Sequence, residues 1–162
     1  MSELSVLAAK VGEALSDKGL MLVTAESCTG GGVAHVVTAV AGSSGWFDRG
    51  FITYSNASKQ EMLGVDEGTL ARFGAVSEET VREMAVGALN HSRADVALSV
   101  SGIAGPGGGS KEKPVGTVWI GWALRGRETT ATCFAFHGGR ESVRREAVKA
   151  ALEGVLARLG HL

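Results

Sequence analysis

Cysteine, aromatic residues and surplus charge are all scarce in these 162 residues, and each shortage closes off a class of function. The two cysteines, Cys28 and Cys133, form no C-x-x-C or other ligand spacing, so neither a zinc ribbon nor a disulfide framework is expected. Sixteen Lys and Arg stand against 17 Asp and Glu, a net charge of −1 that gives no electrostatic footprint for nucleic acid or anionic membrane. Aromatics make up 6% and no basic stripe accompanies them, so no nucleic-acid platform is expected. No apolar run approaches the ~20 residues that span a bilayer, and the N-terminus lacks a basic-then-apolar signal. A cytoplasmic protein with no membrane partner is expected. The four histidines, His35, His91, His137 and His161, lie far apart without an H-x-x-x-H pair or a carboxylate cluster, so no metal is expected. There is no internal repeat and no low-complexity linker, and the length suits one domain, residues 1–162.

What the chain has in excess is glycine, 24 residues, clustered at 30–32, 102–109 and 138–139. Clusters at three loops suggest backbone approaching a ligand rather than general flexibility. The first cluster closes the stretch around which the chain is organised, Thr24-Ala25-Glu26-Ser27-Cys28-Thr29-Gly30-Gly31-Gly32. Apolar Leu20 to Val23 runs into it and a helical pattern, Val33 to Val40, runs out. That is a strand, a polar turn and a helix head, where bare N–H groups and the helix dipole favour an anion or an acyl-transfer oxyanion. The alternative is a structural turn, with Ser27 or Thr29 as N-cap and glycines for tightness.

The remaining elements follow from periodicity and punctuation. Ser2 caps a first helix with Leu4, Leu7, Ala8, Val11 and Leu15 inward, ended by Gly19. A strand is predicted at 20–24 and a helix at 30–40, then a strand at 46–54 with Gly50 as a bulge. Ser55-Asn56 breaks that strand and caps a short helix carrying Lys59, Met62 and Leu63. A second short helix, 66–72, precedes Gly74, and Ser77 caps a longer one over 78–92. Asp95 to Ser101 reads as a buried strand, followed by the glycine loop Ser101-Gly-Ile-Ala-Gly-Pro-Gly-Gly-Gly109. Strands over 115–124 and 128–136 form an antiparallel pair joined around Gly126, and a last helix covers 140–159. Early alternation of helix and strand with a late hairpin predicts an α/β fold, a mixed sheet between helical layers in three α/β/α layers.

Nucleotide-loop motifs fail on spacing and on context. Gly109-Ser110-Lys111 lacks the Gly-Lys-Ser/Thr ending of a P-loop, a strand rather than a helix follows, and G-x-G-x-x-G is absent from both glycine loops. What remains at 102–109 is a bare backbone nest suited to a phosphate or a carboxamide. Ser27, Cys28 and Thr29 are nucleophile-type residues without a neighbouring histidine, and G-x-S-x-G is absent. A desolvated lysine can serve as base instead, because burial disfavours its charged form. Lys59, after a breaker at a strand end, is the best candidate, with Tyr54 at the same end to hydrogen-bond or relay a proton. Lys111 and Lys113 stand among charges and read as solvated. Cys28 is the rival nucleophile, but with no histidine assigned beside it Ser27 is preferred. On the last helix Arg140 and Arg144 share a face and Glu141 can pair with Arg145, which reads as a salt-bridged surface. Arg140, at the helix start against the dipole's preference, hints at an anion partner.

Four motifs in order, Ala25-Glu-Ser-Cys-Thr-Gly-Gly31, Tyr54-Ser-Asn56 with Lys59, Ser101-Gly-Ile-Ala-Gly-Pro-Gly-Gly108 and Lys113-Pro-Val-Gly-Thr117, resemble the C-terminal domain of the competence/damage-inducible protein CinA, in its stand-alone form. The resemblance covers nearly the whole chain. It implies a nicotinamide-nucleotide amidase that converts nicotinamide mononucleotide to nicotinate mononucleotide and ammonia, with no cofactor. It also implies a serine nucleophile and a lysine base, which fall here on Ser27 and Lys59 with Tyr54 assisting. Thr29, Gly30, Gly31, Ser101, Gly102, Ala104, Gly105 and Arg140 are then the expected substrate contacts, and a homo-oligomer is expected. Any activity of the larger N-terminal domain of CinA proteins is not expected. The alternative reading is a catalytically silent nucleotide-binding module tied to competence or DNA damage.

Overall fold

The computed structural model describes residues 2–162. Ser2 accepts from the Ser5 N–H to start α1 (Glu3–Lys18), and Gly19, at φ 67°, ends it. Then come β1 (Leu22–Glu26), α2 (Gly32–Thr38), a single 3-10 turn (Ser43–Gly45), β2 (Phe47–Ile52), α3 (Asn56–Leu63), α4 (Glu67–Phe73), α5 (Glu78–Asn90), β3 (Val96–Gly102), β4 (Thr117–Leu124), β5 (Thr130–Ala135) and α6 (Arg140–Leu159). The five strands form one sheet in the order β2-β1-β3-β4-β5. β1 runs parallel to both β2 and β3, while β3-β4-β5 is an antiparallel meander. The sheet is mixed, as the alternation of elements predicts.

Residue alternation along the central strands sorts the core into two layers. Leu22, Val96, Leu98, Val100, Val118, Ile120 and Trp122 face one way, against buried residues of α1, α2 and α6. Val23, Ala25, Ala97 and Ala123 face the other way, against Val81, Met84, Ala85 and Ala88 of α5 and Leu63 of α3. Each large apolar side chain so buried contributes about 1.5–3 kcal/mol. Helix α5 lies very close to the sheet: a Cβ at Gly121 would stand 2.8 Å from the Val81 carbonyl oxygen, to which the Ser99 hydroxyl donates at 2.6 Å. No helix among the described residues is long and apolar enough to cross a membrane.

Most element ends shift by one or two residues from the sequence expectation, and two of these shifts bear on function. β1 covers 22–26 rather than 20–24. Leu20 is used to close α1, its N–H donating to the Leu15 carbonyl, and the Met21 N–H goes to the Asp95 carboxylate. The strand therefore ends directly before Ser27. α2 begins at Gly32 rather than Gly30, because Gly30 and Gly31 adopt left-handed φ of 58° and 101° inside the turn. The irregularity in β2 lies at Asp48, between the Leu22–Phe47 and Val23–Arg49 pairs, and not at Gly50, which pairs regularly with Thr24.

Candidate active site

The carboxyl ends of β1 and β3 lie side by side, Glu26 paired with Val100, and the loops that leave them enclose a cleft. Ser27 is the first residue past β1. Its N–H donates to the Val100 carbonyl at 2.9 Å, which ties the nucleophile candidate to the sheet. β2 delivers the second group. Its end is held by Thr53 N–H donating to the Glu26 carbonyl, and Ser55 then opens α3 in a reciprocal capping box with Ser58. This puts Lys59 in the first turn of α3, over the end of β1. Its Nζ donates to Ser27 Oγ at 2.9 Å, to the Thr53 carbonyl at 2.7 Å and to the Tyr54 carbonyl at 3.4 Å.

Lys59 is 1% exposed and, among the described residues, has no ion-pair partner. Burial accordingly pulls its pKa down to about 8. The three neighbours suit the neutral amine. Two are carbonyls, which can only accept and so take its two N–H groups, and the third is a hydroxyl that can donate to the remaining lone pair. Once Lys59 has lost its proton, the Ser27 hydroxyl, 8% exposed, is the neighbour left to face that lone pair.

Glu26, directly before Ser27, holds the turn in a way that the residue pattern does not announce. It is 1% exposed, accepts from the Thr29 hydroxyl at 2.6 Å, and accepts from the N–H groups of Val33 and Ala34 at 2.8 and 3.1 Å. The structural turn foreseen with Ser27 or Thr29 as N-cap is therefore corrected. The N-cap is Gly31, which has no side chain to offer, and the Glu26 carboxylate serves the helix head instead. The positive end of α2 is thus already occupied by a protein anion. An oxyanion at Ser27 must look to the turn rather than to the helix.

The cleft, about 270 Å³, is lined by Ser27, Tyr54, Lys59, Ser101, Gly102, Ala104, Gly105 and Arg140, all expected site residues. Thr29, Gly30 and Gly31 do not line it; Thr29 is buried beneath, bonded to Glu26. Ala75 and Val76, in the connection between α4 and α5, and Ile103 do line it, adding an apolar wall absent from the sequence reading. Tyr54 is 64% exposed, and its hydroxyl accepts from Arg140 at 3.3 Å at the cleft mouth rather than bonding Ser27 or Lys59. Arg140 also donates to the Gly105 carbonyl at 2.8 Å, which joins the start of α6 to the glycine loop. Lys113, expected in solvent, donates to the Phe73 carbonyl at 2.8 Å.

The sequence pattern of the CinA C-terminal domain matches residues 4–159. This protein belongs to the CinA C-terminal domain family. The nicotinamide-nucleotide amidohydrolase PncC of Escherichia coli K12 is 57% identical to it over 152 residues, 94% of this chain and 92% of that protein. A CinA-like protein of Akkermansia muciniphila is 54% identical over 142 residues, which make up 88% of this chain and 34% of that longer protein. Among solved structures, the competence/damage inducible protein CihA of Agrobacterium tumefaciens is similar at a TM-score of 0.95 and 46% identity, covering 99% of this chain and 97% of that one.

In this CinA domain the surroundings disfavour ionisation of the rival nucleophile candidate. Cys28 is buried among the apolar residues beneath α6, and burial pushes its thiol up to about 11. At neutral pH roughly one thiol in 10⁴ is then ionised. Cys28→Ala is expected to keep most of any ammonia-releasing activity of the site and to cost about 1 kcal/mol of stability, read by ammonia release and by urea unfolding. A dead Cys28→Ala enzyme that remains folded would transfer the nucleophile's role to the thiol.

Proposed function

We propose that the protein is a nicotinamide-nucleotide amidohydrolase working through a Ser27 acyl-enzyme with neutral Lys59 as general base. The amidohydrolase names of relatives such as the E. coli protein support the substrate class. The observation that carries the mechanism is the buried amine of Lys59, 2.9 Å from Ser27 Oγ with two carbonyls fixing its orientation. In the forward direction Lys59 takes the hydroxyl proton as Ser27 Oγ adds to the carboxamide carbon, and the carbonyl oxygen becomes an oxyanion. The resulting ammonium of Lys59 returns that proton to the amide nitrogen, ammonia leaves, and the ester on Ser27 remains. Water, deprotonated by Lys59, then adds to the ester carbon, the Lys59 ammonium returns the proton to the departing Ser27 Oγ, and the carboxylic acid is released. The apolar wall of Ala75, Val76 and Ile103 suits the flat pyridine ring. The backbone nest at 102–109 and Arg140 suit the ribose and phosphate, because the five N–H donors of a guanidinium exceed the two contacts that Arg140 makes within the protein.

Purified protein is expected to release ammonia from nicotinamide mononucleotide, and far more slowly from nicotinamide or glutamine. Release from glutamine alone would reassign the substrate class, and release from none would favour a silent binding module. Arg140 supplies a second, independent readout. Arg140→Ala is expected to lower kcat/KM for the mononucleotide about 10- to 100-fold, the worth of a charged hydrogen bond, and to change the riboside little. Equal losses on both substrates would show that Arg140 does not meet the phosphate.

A further inference from the structure

The mechanism above needs an oxyanion donor, and the head of α2 is closed by Glu26. The turn itself is held in an unusual way. The Ser27 carbonyl accepts from Gly30 N–H at 3.0 Å, so the donor expected from Gly30 is spent inside the turn. The next two carbonyls, of Cys28 and Thr29, both accept from one guanidinium: Arg144 Nε at 3.1 Å and Arg144 Nη2 at 3.3 Å. Arg144 has no carboxylate partner among the described residues, although its helix pattern reads as a salt-bridged surface. Three successive carbonyls of the turn are thereby fixed.

In a trans peptide the C=O and N–H point in opposite directions. Fixing the Ser27 carbonyl therefore aims the Cys28 N–H, and fixing the Cys28 carbonyl aims the Thr29 N–H. Among the described residues no acceptor on another residue meets either N–H group. Cys28, the residue after the nucleophile, lines the cleft. Arg144 acts on both ends of this relay. Through the Thr29 carbonyl, which also accepts from the Gly32 N–H at 2.9 Å, it helps orient the peptide whose N–H, that of Gly30, holds the Ser27 carbonyl. The geometry leaves no slack for another side chain here: Gly30 is left-handed, and a Cβ on it would stand 3.3 Å from Arg144 Nη2.

We propose that Arg144, though it does not itself touch the substrate, is a positioning residue that holds the turn so that the N–H of Cys28, which lines the cleft, serves as the oxyanion donor. Its positive charge also polarises the peptides whose carbonyls it holds, which strengthens the opposite N–H donors. This inference rests on the Ser27 reading above. Losing one oxyanion donor outright costs about 10²–10³-fold in kcat, so misaiming it should cost about 10- to 100-fold.

The test compares Arg144→Met, Arg144→Ala, Arg144→Lys and Ser27→Ala with the wild type on nicotinamide mononucleotide. Arg144→Met is expected to lose about 10- to 100-fold in kcat with KM changed less than about threefold. Arg144→Lys, which keeps the charge but can reach only one carbonyl well, should recover part of that loss, and added guanidinium should partly restore Arg144→Ala. The ascending limb of the pH–rate profile should stay where it is, because Lys59 is untouched. Turnover by Arg144→Met within about twofold of wild type, with Ser27→Ala inactive, would overturn the proposal. So would a loss of kcat accompanied by a shifted limb, since that reports disturbed packing around Lys59. If Arg144→Met fails to fold, Arg144→Lys decides: its kcat should fall at unchanged KM and unchanged limb, and wild-type turnover overturns the proposal. An active Ser27→Ala enzyme would instead defeat the serine mechanism, whatever Arg144 does.

Discussion

Lys59→Met is expected to lose amidase turnover by about 10²–10⁴-fold or more, in a protein that melts within a few degrees of wild type. The first half follows from the lone pair: methionine fills much of the same space and cannot take the Ser27 proton. The second half follows from the sign of the lysine's shift. Its pKa in the folded protein is lowered to about 8, so the unfolded chain holds the proton more tightly. Stability therefore rises between pH 8 and the ~10.4 of a free lysine, and below pH 8 the buried ammonium is a standing cost on the order of 3 kcal/mol. Methionine removes that cost, offset by about 1–3 kcal/mol for the Thr53 carbonyl that loses its donor. Arginine separates the base from a mere positive charge. Lys59→Arg keeps the charge but does not deprotonate, and should be equally inactive. Because Lys59 is among the largest fully buried side chains, arginine overfills the site, so the methionine variant carries the stability comparison. A Lys59→Met enzyme with near wild-type turnover would remove Lys59 from the chemistry. A collapse in melting temperature would make its role structural.

Ser27→Ala should be at least as severe in kcat while leaving fold and nucleotide binding nearly intact. Only Oγ is removed, whereas the anchor of Ser27 to β3 is its backbone N–H, which alanine keeps. Lys59 keeps both carbonyl partners and stays buried. The expected result is loss of ammonia release with a nucleotide Kd within about threefold of wild type by calorimetry. Activity retained in Ser27→Ala would mean that Lys59 activates water directly, with no acyl-enzyme. Activity lost together with binding would mean that the hydroxyl is a substrate contact.

Much of this arrangement was legible in the residues, and what was not has a physical reason. Ser27 and Lys59 are each marked by local punctuation: a glycine turn after a strand for one, a breaker and helix cap after a strand for the other. Local punctuation survives folding, and so does the helical stripe Val143, Ala147, Ala151, Val155 and Leu159, every member of which is buried. Glu26 escaped because a carboxylate at a strand end has no local signature. Its role appears only when the turn brings the helix head back over it. Arg144 escaped for a similar reason: its place on the helix reads as an exposed charged surface, whereas its partners are carbonyls over 110 residues away in sequence. Ala75 and Val76 lie between two short helices, and only the packing of α5 against the sheet brings that connection to the cleft.

The measurement closest to the centre of this account is the pH dependence of kcat/KM for nicotinamide mononucleotide. If neutral Lys59 is the base, the rate should rise about tenfold per pH unit below an apparent pKa near 8 and then level off. That value belongs to the coupled Ser27–Lys59 pair rather than to either group alone. The substrate's phosphate titrates near pH 6, well enough separated to be read as a distinct step. A profile flat from pH 6.5 to 9.5, or one still climbing toward the pKa of an ordinary lysine, would contradict the claim that a desolvated Lys59 activates Ser27.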